Sequence, residues 1–205
     1  MTKEFGIFVV LASSLFLGGC GVSQTTVIET PKEPSVNTVE PSKGDEQTTV
    51  YKNPNGYQIT YPASWERQTE TDNTNENVVI RKNAAVQVPD GYGTPCPTDY
   101  LAISVRGPFS LAADGHVSFE QMVTARYDAV GSLGSFSGKK EAQTINGLHA
   151  YAFESGGVEG VCAGPAYAIE LNSQSYLIVS VGLPAGDVNG LQSASQIVQS
   201  LKKTE

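Results

Sequence analysis

Asn146-Gly147 stands between two runs of strand-like alternation, KKEAQTI (139–145) and LHAYAFES (148–155). An Asn-Gly pair takes the positive φ angles of the tight turn whose twist matches paired antiparallel strands. The stretch is therefore predicted to be a β-hairpin, and that restricts the chain to folds built on antiparallel pairs. AYAIEL and YLIVSVGL around NSQS (172–175) read as a second hairpin. Upstream, TVYKN and YQITYP flank the turn NPNG (53–56), with Tyr57, Ile59 and Tyr61 alternating onto one face. NVVIRK and YLAISVRG read as two more strands, separated by the long loop NAAVQVPDGYGTPCPTD (83–99). Two helices interrupt this pattern. Ser118 and Gln121 have capping-box spacing, and Phe119, Met122, Val123, Tyr127 and Val130 form one apolar stripe that Gly131 and Gly134 end. Leu191, Ala194, Ile197, Val198 and Leu201 form another, with Lys202 and Lys203 placed for its C-terminal dipole. The order ββββ-α-ββββ-α predicts the α+β class.

The N-terminus carries a different signal. Lys3 and the free amine precede an apolar run, GIFVVLASSLFL (6–17), of about twelve residues. A membrane-spanning helix needs roughly 20, so the run has the length of a signal-peptide core. It ends in Leu17-Gly18-Gly19-Cys20. This resembles the lipobox of bacterial lipoproteins, a Leu and two small residues before Cys. The resemblance implies a signal peptide over 1–19 and a thioether-linked diacylglyceryl group on Cys20, with further acylation (palmitate) at the new N-terminus. A plain secretory signal or a short uncleaved anchor is the alternative. Two or three lipid chains anchor a protein stably where one does not, so the membrane is the expected partner of the lipid.

Residues 20–47 are expected to be the lipidated Cys and a tether. From Gly21 to Gln47 there is no aromatic residue, and Pro31, Pro34 and Pro41 interrupt any helix. Such a composition buries too little apolar surface to offset its ordering entropy. The domain is expected over 48–205. The chain has 205 residues and a net charge of -8. That charge argues against nucleic acid, whose binding rests on phosphate neutralisation, and against a polybasic membrane face. With Cys20 lipidated, Cys96 and Cys162 remain. An oxidising compartment gives them reason to pair, and both lie in Gly/Pro-rich loops, GTPCPTD and EGVCAGP. A pair of free thiols is the alternative.

YKNPNGYQITYPASWE, a central helix, INGLHAYAF, two paired strands and a final IVQSLK helix together resemble the PsbP-like family. These are extrinsic proteins of photosystem II and their bacterial relatives, often lipoproteins. The resemblance implies a central antiparallel sheet with helices packed on it as an α/β/α sandwich. It also implies a non-catalytic binding or assembly module contacting an envelope protein. No metal-ligand set of the family falls on matching residues, and no cofactor motif is read.

Other chemistry finds little foothold. GSLGSFSGKK (131–140) has Phe136 where a nucleophile-elbow Ser belongs, and Leu133 and Lys140 where a Walker loop needs Gly and Ser or Thr. TETDNTNEN, read as an EF-hand from Asp72, has Asn77 at the invariant glycine and Asn83 at the bidentate glutamate; it is expected to be a solvated loop. His116 and His149 are the only candidate imidazole bases, and neither has an evident acid in sequence. Trp65 is expected to anchor the core. The Cys96 loop is the candidate recognition surface, with Tyr92 and Tyr100 as its aromatic contacts. A small-ligand or cation carrier is the second functional expectation, and a hydrolase the third.

Overall fold

The computed structural model describes residues 47–72, 75–86, 95–128, 136–156 and 162–204. The signal run, Cys20, all of the expected tether but Gln47, and Tyr92 lie outside them. So do Val130, Gly131 and Gly134, the expected end of the first helix.

Five strands come first: β1 (Thr48–Asn53), β2 (Tyr57–Pro62), β3 (Glu66–Asp72), β4 (Asn75–Arg81) and β5 (Ala102–Ser110). Helix α1 (Phe119–Asp128) follows, then β6 (Phe136–Ile145), β7 (Leu148–Gly156), β8 (Ala166–Asn172) and β9 (Ser175–Gly182). Helix α2 (Val188–Gln199) and the short β10 (Lys202–Lys203) complete the chain. All pairings are antiparallel, in a seven-stranded sheet ordered β3-β4-β5-β9-β8-β7-β6 and a three-stranded sheet ordered β1-β2-β10.

The large sheet is the middle layer of the expected sandwich. Side chains alternate across it, so β8 sends Tyr167 and Ile169 to one face and Ala166 and Ala168 to the other. In β9, Leu177 and Val179 go with the first pair, Tyr176 and Ile178 with the second. On the first face they meet Ala194, Ile197 and Val198 of α2 and Tyr57, Ile59 and Tyr61 of the small sheet; Trp65 packs in the same cluster. On the second face they meet Phe119, Met122 and Val123 of α1, with Phe136 stacked on Phe153 at 4.1 Å. The central strands are buried on both sides, which is why AYAIEL and YLIVSVGL read as nearly continuous apolar runs.

Three local expectations change. TETDNTNEN is part of a hairpin: β3 pairs with β4 from Glu66↔Arg81 to Asp72↔Asn75. Five strands therefore precede α1. Lys202 and Lys203 do not prolong α2; they pair with Gln58 and Tyr57 as β10. The reason lies at Ser200, whose Oγ accepts from the Thr60 amide (2.8 Å) and donates to the Thr60 carbonyl (2.9 Å), tying the helix end to β2. The capping box at α1 is offset by one residue. Ser118 Oγ accepts from the Gln121 amide (3.2 Å), but Gln121 Oε1 accepts from the Val117 amide (2.7 Å) instead of that of Ser118.

Candidate functional site: a two-arginine groove on the sheet

The alternation that builds the core leaves a second, polar set of side chains on β4 and β5. Val78, Ile80, Ile103 and Val105 point into the α2-side core. Asn77, Val79, Arg81, Ala102, Ser104 and Arg106 therefore occupy the α1-side face. The α1 core cluster reaches across that face only as far as Tyr176 and Ile178 of β9 and Phe109 and Leu111 at the far end of β5. Beyond it, no helix among the described residues covers the sheet, and the strands floor a groove of about 400 Å³. That volume falls in the usual range of ligand clefts, roughly 300–1,000 Å³.

The ladder fixes the floor. Asn77 lies across from Arg106, Val79 across from Ser104, and Arg81 across from Ala102. Ser104 in turn faces Ser180, and Ala102 faces Gly182 on β9. Arg81 and Arg106 thus stand at opposite ends of a strip whose middle is Val79, Ser104 and Ser180. Their Cα positions are about 14 Å apart, from four strand steps and one interstrand spacing. Ser104 Oγ donates to Asn77 Oδ1 at 2.7 Å.

One wall is formed by Tyr100 and the Cys162 segment. Cys96 and Cys162 are joined in a disulfide, their Cα atoms 5.0 Å apart and 66 positions apart in sequence. On the chain-entropy model a loop of that length contributes about 4 kcal/mol. Cys162, Ala163 and Tyr100 line the groove beside it. Gly182 makes this approach possible: a Cβ there would sit 3.0 Å from the Tyr100 ring and 3.2 Å from the Cys162 carbonyl oxygen.

The electrostatics are lopsided. Burial holds the Arg106 guanidinium below the usual arginine range, and the positive charge of Arg126 lowers it further. Arg126 itself has an acid at hand: its Nη2 donates to Tyr176 Oη (3.1 Å), which donates to Asp114 Oδ2 (2.6 Å). Arg81 and Arg106 have no such relief. Among the described residues neither has a carboxylate within ion-pair distance, although Glu70 lines the groove and Glu66 lies across from Arg81 in the ladder. The Nε of Arg81 is buried with no acceptor among them. Two cationic forks, two hydroxyls and an amide, with neither fork in an ion pair with the Glu70 that shares the lining, can hold an oxyanion.

The other sequence candidates fall elsewhere. His149 Nδ1 lies 3.5 Å from Glu120 and 3.4 Å from Glu170, two acids drawn from α1 and β8. Both acids keep solvent access, and the rings packed on this histidine are Phe119 and Tyr151. His116 closes a turn through its backbone amide to the Leu111 carbonyl. Among the described residues no group of three or more His, Cys, Asp or Glu is placed to hold a metal. Glu76, from the calcium-like stretch, instead accepts from Tyr51 Oη (2.6 Å) and from the buried Asn53 amide. Arg81 and Arg106 were not singled out by sequence. The signal was present as arginines in phase on two adjacent strands, at the positions where alternation puts the polar face.

No protein-family model and no curated protein matches the chain. Among solved structures it is similar to a protein of Bacteroides thetaiotaomicron at 12% identity and a TM-score of 0.44, covering 76% of this chain but only 48% of that one. It is similar to cyanobacterial PsbP from Synechocystis at 13% identity and a TM-score of 0.46, covering 80% of this chain and 96% of that one. It is also similar to LpqN of Mycobacterium tuberculosis, described as involved in cell envelope biogenesis, at 16% identity and a TM-score of 0.40, covering 78% and 91%. At such identities each is a likeness of fold alone. Among the described residues the chain is an α+β domain with two antiparallel sheets and a helix on each face of the larger one.

Proposed function

We propose that this chain is a lipid-anchored, extracytoplasmic, non-catalytic binding module whose binding surface is the groove over β4, β5 and β9. The observation that carries this reading is the half-covered sheet. A face that is core under α1 becomes, three strands on, a polar cleft floored by Arg81, Ser104 and Arg106 and walled by the disulfide. Anchoring is assigned to Cys20, on the strength of Leu17-Gly18-Gly19-Cys20. Among the described residues no helix is long and apolar enough to cross a membrane.

An envelope-protein partner is the second reading, and a separate feature favours it. On the α2 side a hollow of about 510 Å³ is lined by Phe153, Tyr167 and Leu191, and Leu191 is 41% exposed. Photo-crosslinking in the intact envelope separates the two readings. A photoreactive residue at Ser180 is expected to capture a small molecule, seen as a mass increment on its peptide. A discrete protein adduct from Leu191, with nothing captured at Ser180, would overturn the groove in favour of the protein partner. Fatty-acid labelling that is lost in Cys20→Ser tests the anchor; equal labelling of the variant would refute it.

A further inference from the structure

We infer that the groove recognises a phosphate group, held between Arg81 and Arg106. This rests on the groove being the binding surface proposed above. Both arginines line the same cleft from opposite ends, rooted on neighbouring strands. The Nε of Arg81 is buried without an acceptor among the described residues, and Arg106 is set against both its own burial and the positive charge of Arg126. A buried donor left unpaired is costly, and a second guanidinium, that of Arg106, lines the same cleft without an ion-pair partner among the described residues. The arrival of an anion supplies the missing acceptor for both.

The arrangement favours phosphate over carboxylate. Each guanidinium presents a planar fork of N–H donors that takes two oxygens of one anion. A carboxylate has two oxygens in one plane and satisfies a single fork. A tetrahedral phosphate presents oxygens in several directions and can be gripped from both ends of the strip. The hydroxyl of Ser180 lies between the ends to donate to what remains, while that of Ser104 is held by Asn77 Oδ1. The non-phosphate part of the ligand has Val79, Ala102 and Tyr100 to lie against. The chain carries a net charge of -8, so a basic recess in this acidic surface also focuses the field on one place. The phosphate can belong to a free small molecule or to a lipid headgroup; the recognising chemistry is the same.

Calorimetry on the full protein, purified with its anchor in detergent and phosphate-free buffer, tests this. The probes are inorganic phosphate, glycerophosphoglycerol as a headgroup without chains, and succinate as a carboxylate. Saturable binding of a phosphate probe is expected, weakened at least tenfold in Arg81→Gln and in Arg106→Gln. It should be unchanged in Arg67→Gln, whose guanidinium stacks over Tyr51 at 4.4 Å. Arg106→Lys, which keeps charge but loses the fork, should fall between. Tighter binding of inorganic phosphate assigns a free ligand, and tighter binding of the diester assigns a headgroup; either supports the proposal. No saturable binding of both phosphate probes, equal weakening in Arg67→Gln, or succinate binding more tightly than either would overturn it. Should the groove variants fail to fold, hydrogen exchange on the unaltered protein decides. Phosphate should slow exchange in residues 77–81 and 102–106, and no slowing there refutes the site. If crosslinking from Ser180 captures a ligand without phosphate, the groove remains the binding surface and only this inference falls.

Discussion

Asn146 sits at φ 47°, and its side-chain amide donates to the carbonyls of Gln199 (2.6 Å) and Leu201 (3.0 Å). One residue thus turns a hairpin and also clasps the end of α2. Two effects can be separated by substitution. Asn146→Gly keeps the turn but loses both hydrogen bonds, and should cost about 2 kcal/mol at about 1 kcal/mol each. Asn146→Ala should cost about 3 kcal/mol, because a left-handed φ adds roughly 1 kcal/mol for a residue with a plain Cβ. Urea unfolding of the two variants measures the difference; equal losses would remove the backbone component. Tyr176 gives a prediction in pH. Burial, then its hydrogen bond to Asp114, pushes its phenol up to about 12. The unfolded phenol titrates near 10, so the fold prefers the protonated form. Stability is whole below pH 10 and falls as pH rises from there toward 12, by about 3 kcal/mol from this group. Burial raises Tyr57 and Tyr167 in the same direction. Unfolding free energies followed between pH 9 and 12 should decline, and Tyr176→Phe should decline less steeply. Parallel curves would show that Tyr176 does not titrate differently in the fold.

The β3–β4 hairpin shows what sequence patterning conveys about elements and where it stops. β4, β5 and β7 to β9 alternate because one or both faces are buried, and that alternation was readable; β6, largely exposed at the opposite edge, was readable from its Asn-Gly turn instead. β3 has no apolar period: ERQTETD lies at the sheet edge, and its exposure removes the selection for a buried face. Its place is fixed instead by the ladder to β4 and, one residue into β4, by Glu76, the acceptor for Tyr51 and Asn53. The same limit hid the groove. Asn77, Val79, Arg81 and Ala102, Ser104, Arg106 read as the solvent face of antiparallel strands. Nothing in their order tells that α1 covers half of that face and stops. Tyr100 and the two cysteines were legible because loop length and cysteine count carry their own physics. Two-residue β10 was not, since Lys202 and Lys203 suit a helix end equally well. Glu76→Ala should therefore loosen the joint between the small sheet and the hairpin. The Tyr51 hydroxyl would lose its acceptor and the Asn53 amide, on a residue 3% exposed, would keep only Tyr51 Oη at 3.3 Å, a loss that should cost about 1–3 kcal/mol. Glu76→Gln, which retains one acceptor oxygen, should cost less. Faster amide exchange across Thr48–Asn53 in the alanine variant checks this; unchanged exchange would mean the clasp is incidental.

For the whole molecule the division of labour is between a disulfide-braced domain and the segment expected to carry it. The domain's first described contact is already structural: the Gln47 carbonyl accepts from the Ala63 amide at 2.7 Å, just ahead of the β1–β2 ladder. A chain that starts at Thr48 would lose that bond, whereas one that starts at Lys43 keeps it with a few residues to spare. From Gly21 to Ser42 the composition has no aromatic residue and contains Pro31, Pro34 and Pro41, so it offers the core little to bury. Among the described residues the buried core clusters begin at Tyr57, with Tyr51 packed against them. The chain from Lys43 is therefore expected to fold with a stability within about 1 kcal/mol of the full mature protein, the scatter of surface changes. It should keep the Cys96–Cys162 bond and bind the groove's ligand with the same affinity in solution. If Cys20 carries the proposed lipid and the ligand is bound to the envelope, what it should lose is confinement: the effective concentration of groove near that ligand falls. Chemical denaturation and calorimetry on the two forms measure these separately. Equal stability with equal affinity, but failure of the short form to replace the anchored one in cells, is the expected pattern. A short form that precipitates or melts early would show that residues before Lys43 pack as structure, and the tether assignment would fall with it.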